Sequence, residues 1–280
     1  MNDYLDPKVD FVFKRIFGSE ENKDVLLAFL NAALRETEPK PLTQIILVNT
    51  HIDKNALEDK QSVLDIRAKT AEGKQINLEI QLSDKYDMAP RTLYYWAKMY
   101  EDQLAETQLY KELKKTITIN ILNFSMLPND RFHNTFHLRE DHTGLLLTDH
   151  IEIHFMELPK LEEKAYSLDD RLVKWLIFLK GVPKERWEEL AMDMPELKKA
   201  MTTLEFLSQD KEARYLYEMR KKALLDERSA LDYAETRGEQ KKAAEVARNL
   251  LSVGKLTIAE IAEVTGISEE EVQKLKEQIH

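Results

Sequence analysis

The spacing of apolar side chains divides the chain into two regions. Up to about residue 160, helical spacing alternates with the two-residue period of strands, whereas beyond Leu158-Pro159 only helical spacing recurs. The first region reads as two helices, three strands, a long helix and three strands, and this order is typical of the α/β class. The predicted segments lie at about 6–17, 22–35, 43–49, 62–70, 74–82, 90–108, 116–124, 132–138 and 151–157.

The change of pattern predicts two domains, residues 1–160 and an all-α C-terminal region, residues 161–280. The first domain opens with a helix that Asp6 caps, with Pro7 in its first turn. The second ends, at about residues 254–279, in a helix-turn-helix-like unit with two capping boxes and a glycine at the turn. Those residues are Thr257 with Glu260, Ser268 with Glu271, and Gly266.

Residues 62–70 and 74–82 have the pattern of a β-hairpin. Both strands alternate apolar with polar side chains, and the three-residue loop between them ends in Gly73, which suits a left-handed loop position. An odd loop matches Ile66 with Leu78, so that one face of the hairpin becomes uniformly apolar. The register is therefore predictable from the pattern alone.

The same register places Asp65 opposite Glu79 on the polar face, with Gln81 one step further along. Opposed carboxylates repel each other, and a bound divalent cation would turn that cost into a binding site. Asp65, Glu79 and the backbone carbonyl of Ile80 offer the oxygen ligands that Mg²⁺ prefers, with Mn²⁺ or Ca²⁺ as substitutes. The other interpretation is a set of solvated polar side chains on an exposed sheet face.

Composition narrows the function classes. The 280 residues include 51 Asp+Glu and 41 Lys+Arg, a formal net charge of −10, which argues against bulk coating of nucleic acid but leaves room for a metal-bridged site. The absence of Cys excludes disulfides and thiolate zinc sites. His133 and His137 lie four apart in a strand-like segment without a matching carboxylate, so zinc is not expected. We find neither a spanning segment nor a signal peptide and expect a cytoplasmic protein.

An Asp on one strand followed by Glu-x-Lys on the next is the motif of the PD-(D/E)XK nuclease superfamily. Asp65 with Glu79-Ile80-Gln81 resembles it, with Gln81 in the Lys position. Further segments are similar to one branch, the Rpn-type recombination-promoting nucleases and transposases, which carry Glu-x-Gln. These segments are Asp10 to Phe17, Arg91-x-x-Tyr94-Tyr95, Tyr110 before a strand, and Ile121-Leu122-Asn123-Phe124; the resemblance covers most of residues 5–160 and is looser in the helical tail.

The resemblance implies a restriction-endonuclease-like core, a mixed β-sheet flanked by helices, and a metal-dependent DNA endonuclease associated with recombination or mobile elements. Carried over by position, Asp65 and Glu79 ligate Mg²⁺, and Gln81 orients the attacking water or contacts the scissile phosphate. An amide does not titrate, so Gln81 supplies neither a positive charge nor a general base. The alternative is a catalytically weak or inactive relative that binds DNA or protein in a mobile-element or defence system.

Four more residues are candidates. Asp10 is a further catalytic candidate, because the superfamily often adds an acidic residue from its first helix; the alternative is a surface ion pair with Lys14. Lys14 and Arg91 are candidate contacts to substrate phosphates. Tyr95 is a candidate substrate contact on a helix whose aromatic side chains we otherwise assign mostly to the core, since a stacking platform for bases needs exposed rings.

The helical tail is a poor candidate for reading DNA. Its last helix opens with three consecutive Glu, residues 269–271, which the phosphate backbone repels. We therefore interpret the terminal unit as a packing or protein-interaction module. The long charged helix before it, at about residues 213–253, makes the C-terminal region the candidate surface for a homo-oligomer.

Overall fold

The computed structural model describes residues 4–48, 66–84, 87–161 and 167–278. Asp65 lies outside the described residues. The helices are α1 (Asp10–Phe17), α2 (Lys23–Ala33), α3 (Met88–Glu101), α4 (Arg171–Lys180), α5 (Trp187–Ala191), α6 (Pro195–Gln209), α7 (Lys211–Val253), α8 (Ile258–Thr265) and α9 (Glu269–Glu277). The strands are β1 (Ile45–Val48), β2 (Ile66–Thr70), β3 (Gln75–Gln81), β4 (Thr116–Leu122), β5 (His133–Arg139) and β6 (Leu146–Glu157).

The strands form one mixed sheet in the order β1-β2-β3-β4-β6-β5. The first three strands pair antiparallel, β3, β4 and β6 pair parallel, and β5 returns antiparallel along β6. A parallel pair needs a crossover connection, and α3 provides it between β3 and β4. The predicted α/β class, with a mixed sheet flanked by helices and a helical C-terminal region, is confirmed.

The register predicted for the hairpin is confirmed over the described residues. Ile66 pairs with Leu78 and Ala68 with Ile76. Gly73 ends the loop with a φ of +89°, a backbone conformation that is costly for residues with a Cβ atom. The apolar side chains of both strands then reach the main core together, because successive side chains of a strand point to opposite faces.

The main core lies on one face of the sheet, against helices from both predicted domains. Phe17 of α1, Phe29 of α2 and Trp175 of α4 form an aromatic cluster, with ring centroids 5.4 to 6.0 Å apart. Helix α6 contributes Leu204 to the same core. The domain division near residue 160 stays a prediction; it coincides with the start of the all-helical part, whereas the two compact units are Met1–Glu218 and Met219–His280.

Two predicted helices, at about 6–17 and 90–108, have different bounds in the structure. Helix α1 begins at Asp10 and not near Pro7, because the Asp6 side chain accepts a hydrogen bond from Lys8 N (2.9 Å) and so caps a separate turn. Helix α3 begins two residues before Pro90 and ends at Glu101, because the chain then continues in turns. A proline within the first turn is compatible with a helix, since no amide hydrogen is needed there.

The C-terminal unit, described by itself, has the predicted capping chemistry. Both capping boxes are present, and Gly266 ends α8 in the left-handed conformation with a φ of +73°. Helices α8 and α9 share a small core with the last turns of α7, built on Ala247, Ile261, Val272 and Leu275. Within the part of the chain that the structure describes, no helix is long and apolar enough to cross a membrane.

Candidate functional site

A row of polar side chains lies under α3, on the face of the sheet away from the main core. Glu79 and Asn77 of β3 pair in register with Asn120 and Thr118 of β4, and all four are at most 3% exposed. Helix α3 covers them, with Thr92 Oγ1 donating to Asn120 Oδ1 at 3.3 Å. The interpretation of β3 as an exposed, solvated face is therefore wrong.

Glu79 is the charged group in this row. Its Oε1 accepts a hydrogen bond from Arg91 Nη2 at 2.7 Å and another from the Gln81 side-chain amide. Its other oxygen, Oε2, accepts no hydrogen bond from the described residues. Burial of a carboxylate is costly without compensation, and the Arg91 cation provides it on one side only. The free lone pairs of Oε2 therefore remain for a ligand.

Arg91 lies in the first turns of α3, above Glu79. Its guanidinium carbon is 5.6 Å from the centroid of the Tyr95 ring, a cation–π distance. Its Nε–H group is buried and has no hydrogen-bond partner among the described residues. The guanidinium thus uses only part of its capacity as a donor, since a free fork has five N–H groups.

The aromatic side chains of α3 are more exposed than predicted. Tyr94 is 64% exposed, and its ring lies 5.4 Å from that of Tyr95. The assignment of most of these rings to the core is wrong, because α3 buries only Met88, Thr92 and Met99. Tyr94 therefore meets the condition for a stacking platform, whereas Tyr95, which contacts Arg91, is half-buried.

The donor atoms at this place fit a hard divalent cation. Asn77 Oδ1 and Thr118 Oγ1 are buried and have no hydrogen-bond partner in the part of the chain that the structure describes. Asn77 and Thr118 are paired across β3 and β4, and Asn77 is two residues from Glu79. Carboxylate, amide and hydroxyl oxygens are the ligands that such cations take. No three His, Asp or Glu of the described ranges are grouped closely enough to hold a metal. Asp65, the predicted second carboxylate ligand, lies outside those ranges.

The other predicted residues lie on neighbouring elements. Ile80 pairs with Ile121 in the parallel part of the sheet, directly after Glu79. Asp10 and Lys14 of α1 are 7% and 8% exposed, so their interpretation as a surface ion pair is wrong. A Cβ atom on Gly18 would lie 3.2 Å from both Ile66 Cγ1 and Lys14 Cγ, which shows that the end of α1 packs on the start of β2.

A second buried carboxylate, Glu152 of β6, lies on the core side of the sheet. It accepts hydrogen bonds from Thr37 Oγ1 (2.7 Å) and His154 (2.7 Å) and contacts Lys115 Nζ (2.7 Å) and His137 Nε2 (3.1 Å). Burial by itself raises the pKa of the Glu152 carboxyl, but the hydrogen bonds from His154 and Lys115 outweigh it and hold that pKa well below its usual range. The carboxylate is fully compensated.

His133 extends this cluster toward the surface. Its Nε2 atom is 2.8 Å from His154 Nδ1, and the two rings stack with centroids 5.1 Å apart. Burial, together with the charges of His154 and Arg131, lowers the pKa of His133 to about 4. Sequence reasoning missed this cluster because the spacing of two histidines on one strand does not show that Glu152 and His154 face them from the next.

Sequence reasoning also missed Asn77 and Thr118 as members of the site under α3. The signal was present, since β4 alternates Thr116, Thr118 and Asn120 with isoleucines. Alternation in a strand that is buried on both faces indicates a specific polar layer, because parallel strands of this kind are otherwise apolar throughout.

The sequence was compared with models of known protein families, with curated proteins and with solved structures. The sequence model of a family described as PD-(D/E)XK nuclease family transposase matches residues 7–234. The chain belongs to this family, which confirms the superfamily predicted from Asp65 and Glu79-Ile80-Gln81. The matched range extends beyond the predicted nuclease-like region into the helical part. Searches of curated proteins and of solved structures give no match.

Proposed function

We propose that this chain is a metal-dependent endonuclease that hydrolyses phosphodiester bonds of DNA. The observation that carries the proposal is the state of Glu79: a buried carboxylate in the Glu-x-Gln motif, with one oxygen held by Arg91 and Gln81 and the other free of hydrogen bonds from the described residues. Membership of a nuclease family supports DNA as the substrate.

Asp65 and Glu79 would hold the divalent ion, with the Ile80 carbonyl as a further oxygen ligand. We propose Mg²⁺, with Mn²⁺ or Ca²⁺ as substitutes. When bound, such an ion lowers the pKa of water and stabilises the charge that develops on the phosphate. Asp10 and Lys14 of α1 are proposed as additional acidic and phosphate-binding groups, and Lys14 lies beside the end of α1 that packs on β2.

Gln81 takes a different role from a lysine. Its amide nitrogen donates to Glu79 Oε1, which leaves its carbonyl oxygen as an acceptor. An acceptor at this place orients a water molecule without removing its proton. Arg91 then contributes the positive charge toward the phosphate, and its guanidinium is held by a cation–π contact with the Tyr95 ring.

The biological setting is part of the proposal. The Glu79-x-Gln81 motif and the transposase description of the family support a Rpn-type enzyme that acts in recombination or on mobile elements. A chain without Cys suits a cytoplasmic location. The charged helix α7 is the proposed surface for a homo-oligomer.

Plasmid nicking tests the activity. Wild type, Asp65→Ala and Glu79→Ala are compared in Mg²⁺ and in chelator, with Glu101→Ala, an exposed carboxylate at the end of α3, as the matched control. We expect nicking only in Mg²⁺, retained in the control and lost in the two site variants. Equal nicking in all four proteins would contradict the assignment of Asp65 and Glu79 as residues needed for cleavage.

A second candidate is a nuclease-fold protein that binds DNA or protein without cleavage. It is favoured by the position of the Arg91 guanidinium, which contacts the proposed metal ligand, and by the missing lysine. Calorimetry with Mn²⁺ separates the two candidates. Binding that requires Glu79 supports the enzyme, whereas DNA binding without metal binding supports the second candidate.

A further inference from the structure

We propose that Arg91 is an exchangeable counter-ion. It neutralises Glu79 in the free protein and moves to a substrate phosphate when a divalent cation binds, so that metal and DNA bind cooperatively. The inference rests on the proposed function and adds to it a coupling between the two ligands.

The first step is the charge of Glu79. The carboxylate is 3% exposed, and Arg91 is the cationic side chain that contacts it within the described part of the chain. A divalent ion on Glu79 Oε2 would bring a second cation beside the same carboxylate. Like charges in a desolvated place repel strongly, so the guanidinium and the metal compete for Glu79.

The second step is the unused capacity of Arg91. One nitrogen donates to Glu79 at 2.7 Å, whereas the buried Nε–H group has no partner among the described residues. A guanidinium fork binds phosphate through two parallel hydrogen bonds, which a single carboxylate oxygen does not offer. A phosphodiester is therefore a better partner for Arg91 than its present one, once another cation neutralises Glu79.

The third step is that the Arg91 guanidinium has room to move toward solvent. The Arg91 side chain is 29% exposed, and it contacts both the Tyr95 ring and the buried Glu79. The exposed Tyr94 ring, next to Tyr95, marks the outer side of this place. A long side chain that is partly exposed can turn toward solvent about its own bonds, and the proposal assigns the movement to the Arg91 side chain.

Gln81 does not supply the positive charge that a lysine would bring to the scissile phosphate. An uncharged amide does not offset the negative charge of a scissile phosphate. Arg91 supplies a positive charge to the phosphate only if it releases Glu79. Metal binding and DNA binding therefore both depend on Arg91. Linkage then requires that DNA strengthen metal binding by the same factor by which metal strengthens DNA binding.

Calorimetry with Ca²⁺, in the presence and absence of a short DNA duplex, measures this factor, while gel electrophoresis verifies that the duplex stays intact. For wild type we expect Ca²⁺ affinity to rise about tenfold with DNA, within the usual range of such couplings. Fluorescence anisotropy of the labelled duplex should give the same factor in the reverse direction.

Arg91→Gln should bind Ca²⁺ more tightly than wild type without DNA, because Glu79 has lost its counter-ion, and its coupling factor should fall to about one. Arg91→Lys keeps the charge without the fork and should retain a reduced coupling; it also answers the question if Arg91→Gln fails to fold. Lys98→Gln removes an exposed positive charge from the same helix and should couple as wild type does.

Equal coupling in wild type and both Arg91 variants would overturn this inference, even if all of them nick plasmid. Weaker Ca²⁺ binding by Arg91→Gln than by wild type would overturn it as well, since Arg91 would then support the metal site. Absence of Ca²⁺ binding to wild type, with and without DNA, would overturn both the coupling and the proposed metal-dependent function.

Discussion

Glu79 and Glu152 are both buried carboxylates on neighbouring parts of one sheet, and their surroundings differ in kind. Glu152 has partners on both oxygens, from Thr37, Lys115, His137 and His154. Among the described residues, Glu79 has partners on one oxygen only, and polar atoms of Asn77, Thr118 and Arg91 near it have none. A fully satisfied polar cluster fixes a fold, whereas a half-satisfied one leaves room for a ligand.

The largest expected effect is on activity at Glu79. Glu79→Gln should reduce plasmid nicking at least about a hundredfold, because a metal ligand contributes several kcal/mol to the transition state. The free energy of unfolding should change little, since the Gln oxygen still accepts from Arg91. Urea unfolding and the nicking assay check the two expectations. Full activity of Glu79→Gln would show that Glu79 is not needed for cleavage and would contradict its assigned role.

The corresponding change at Glu152 should act on stability. Glu152→Ala leaves Lys115 buried beside fewer acceptors, and we expect the free energy of unfolding in urea to fall by about 3–5 kcal/mol. Glu106→Ala, an exposed carboxylate, is the control and should change it by less than about 0.5 kcal/mol. A loss below about 1 kcal/mol at Glu152 would show that its partners do not stabilise the fold.

The pH dependence of the unfolding free energy should reflect protonation of His133 and Glu152, which belong to the same cluster. The folded pKa of His133 lies at about 4, below the ordinary value of 6.5, because burial and nearby positive charge disfavour the protonated ring. The unfolded chain therefore binds more protons between these values, so stability is present above pH 6.5 and falls as the pH drops toward 4. The expected loss reaches about 3 kcal/mol.

His133→Gln should flatten this part of the profile, measured as urea midpoints from pH 7 to pH 4. Below about pH 4.5 the lowered pKa of the Glu152 carboxyl continues the loss, since its stabilisation disappears as the carboxylate is protonated. An equal slope in wild type and His133→Gln would contradict the assignment to His133.

The smallest expected effect is at the hairpin loop, which touches neither carboxylate. Gly73→Ala forces a Cβ atom into a φ of +89° and should cost about 1–2 kcal/mol of unfolding free energy. Nicking per folded molecule should stay near that of wild type, because the register is also fixed by the apolar face. A large loss of activity in the folded variant would show that the loop positions Glu79 more directly.

The pattern of side chains predicts the fold well where one face decides the outcome. The hairpin register follows from Ile66, Ala68, Ile76 and Leu78, because a slip of one residue would turn each apolar side chain out of the core. The capping boxes of α8 and α9 follow from local chemistry. Helix α3 is predicted to be too long because its apolar spacing continues past Glu101 to Leu104, where the chain is in turns.

The candidate site is only partly predictable in this way. The motif Glu79-Ile80-Gln81 is visible in the sequence, but the contact of Arg91 with Glu79 depends on how α3 lies across the sheet. The polar layer of Asn77 and Thr118 depends on the pairing of β3 with β4, which a local pattern does not specify. Asp65, the predicted partner of Glu79, lies outside the described residues and stays a prediction.

The crossover of α3 between β3 and β4 has a consequence for the order in which the protein assembles. Glu79 and Arg91 are only 12 positions apart, and β4 follows on the same short stretch of chain. Closing so short a loop costs little entropy, and contacts between residues close in sequence favour rapid folding. The pair that holds the proposed metal ligand can therefore form within one strand-helix-strand unit, before the distant helices complete the core.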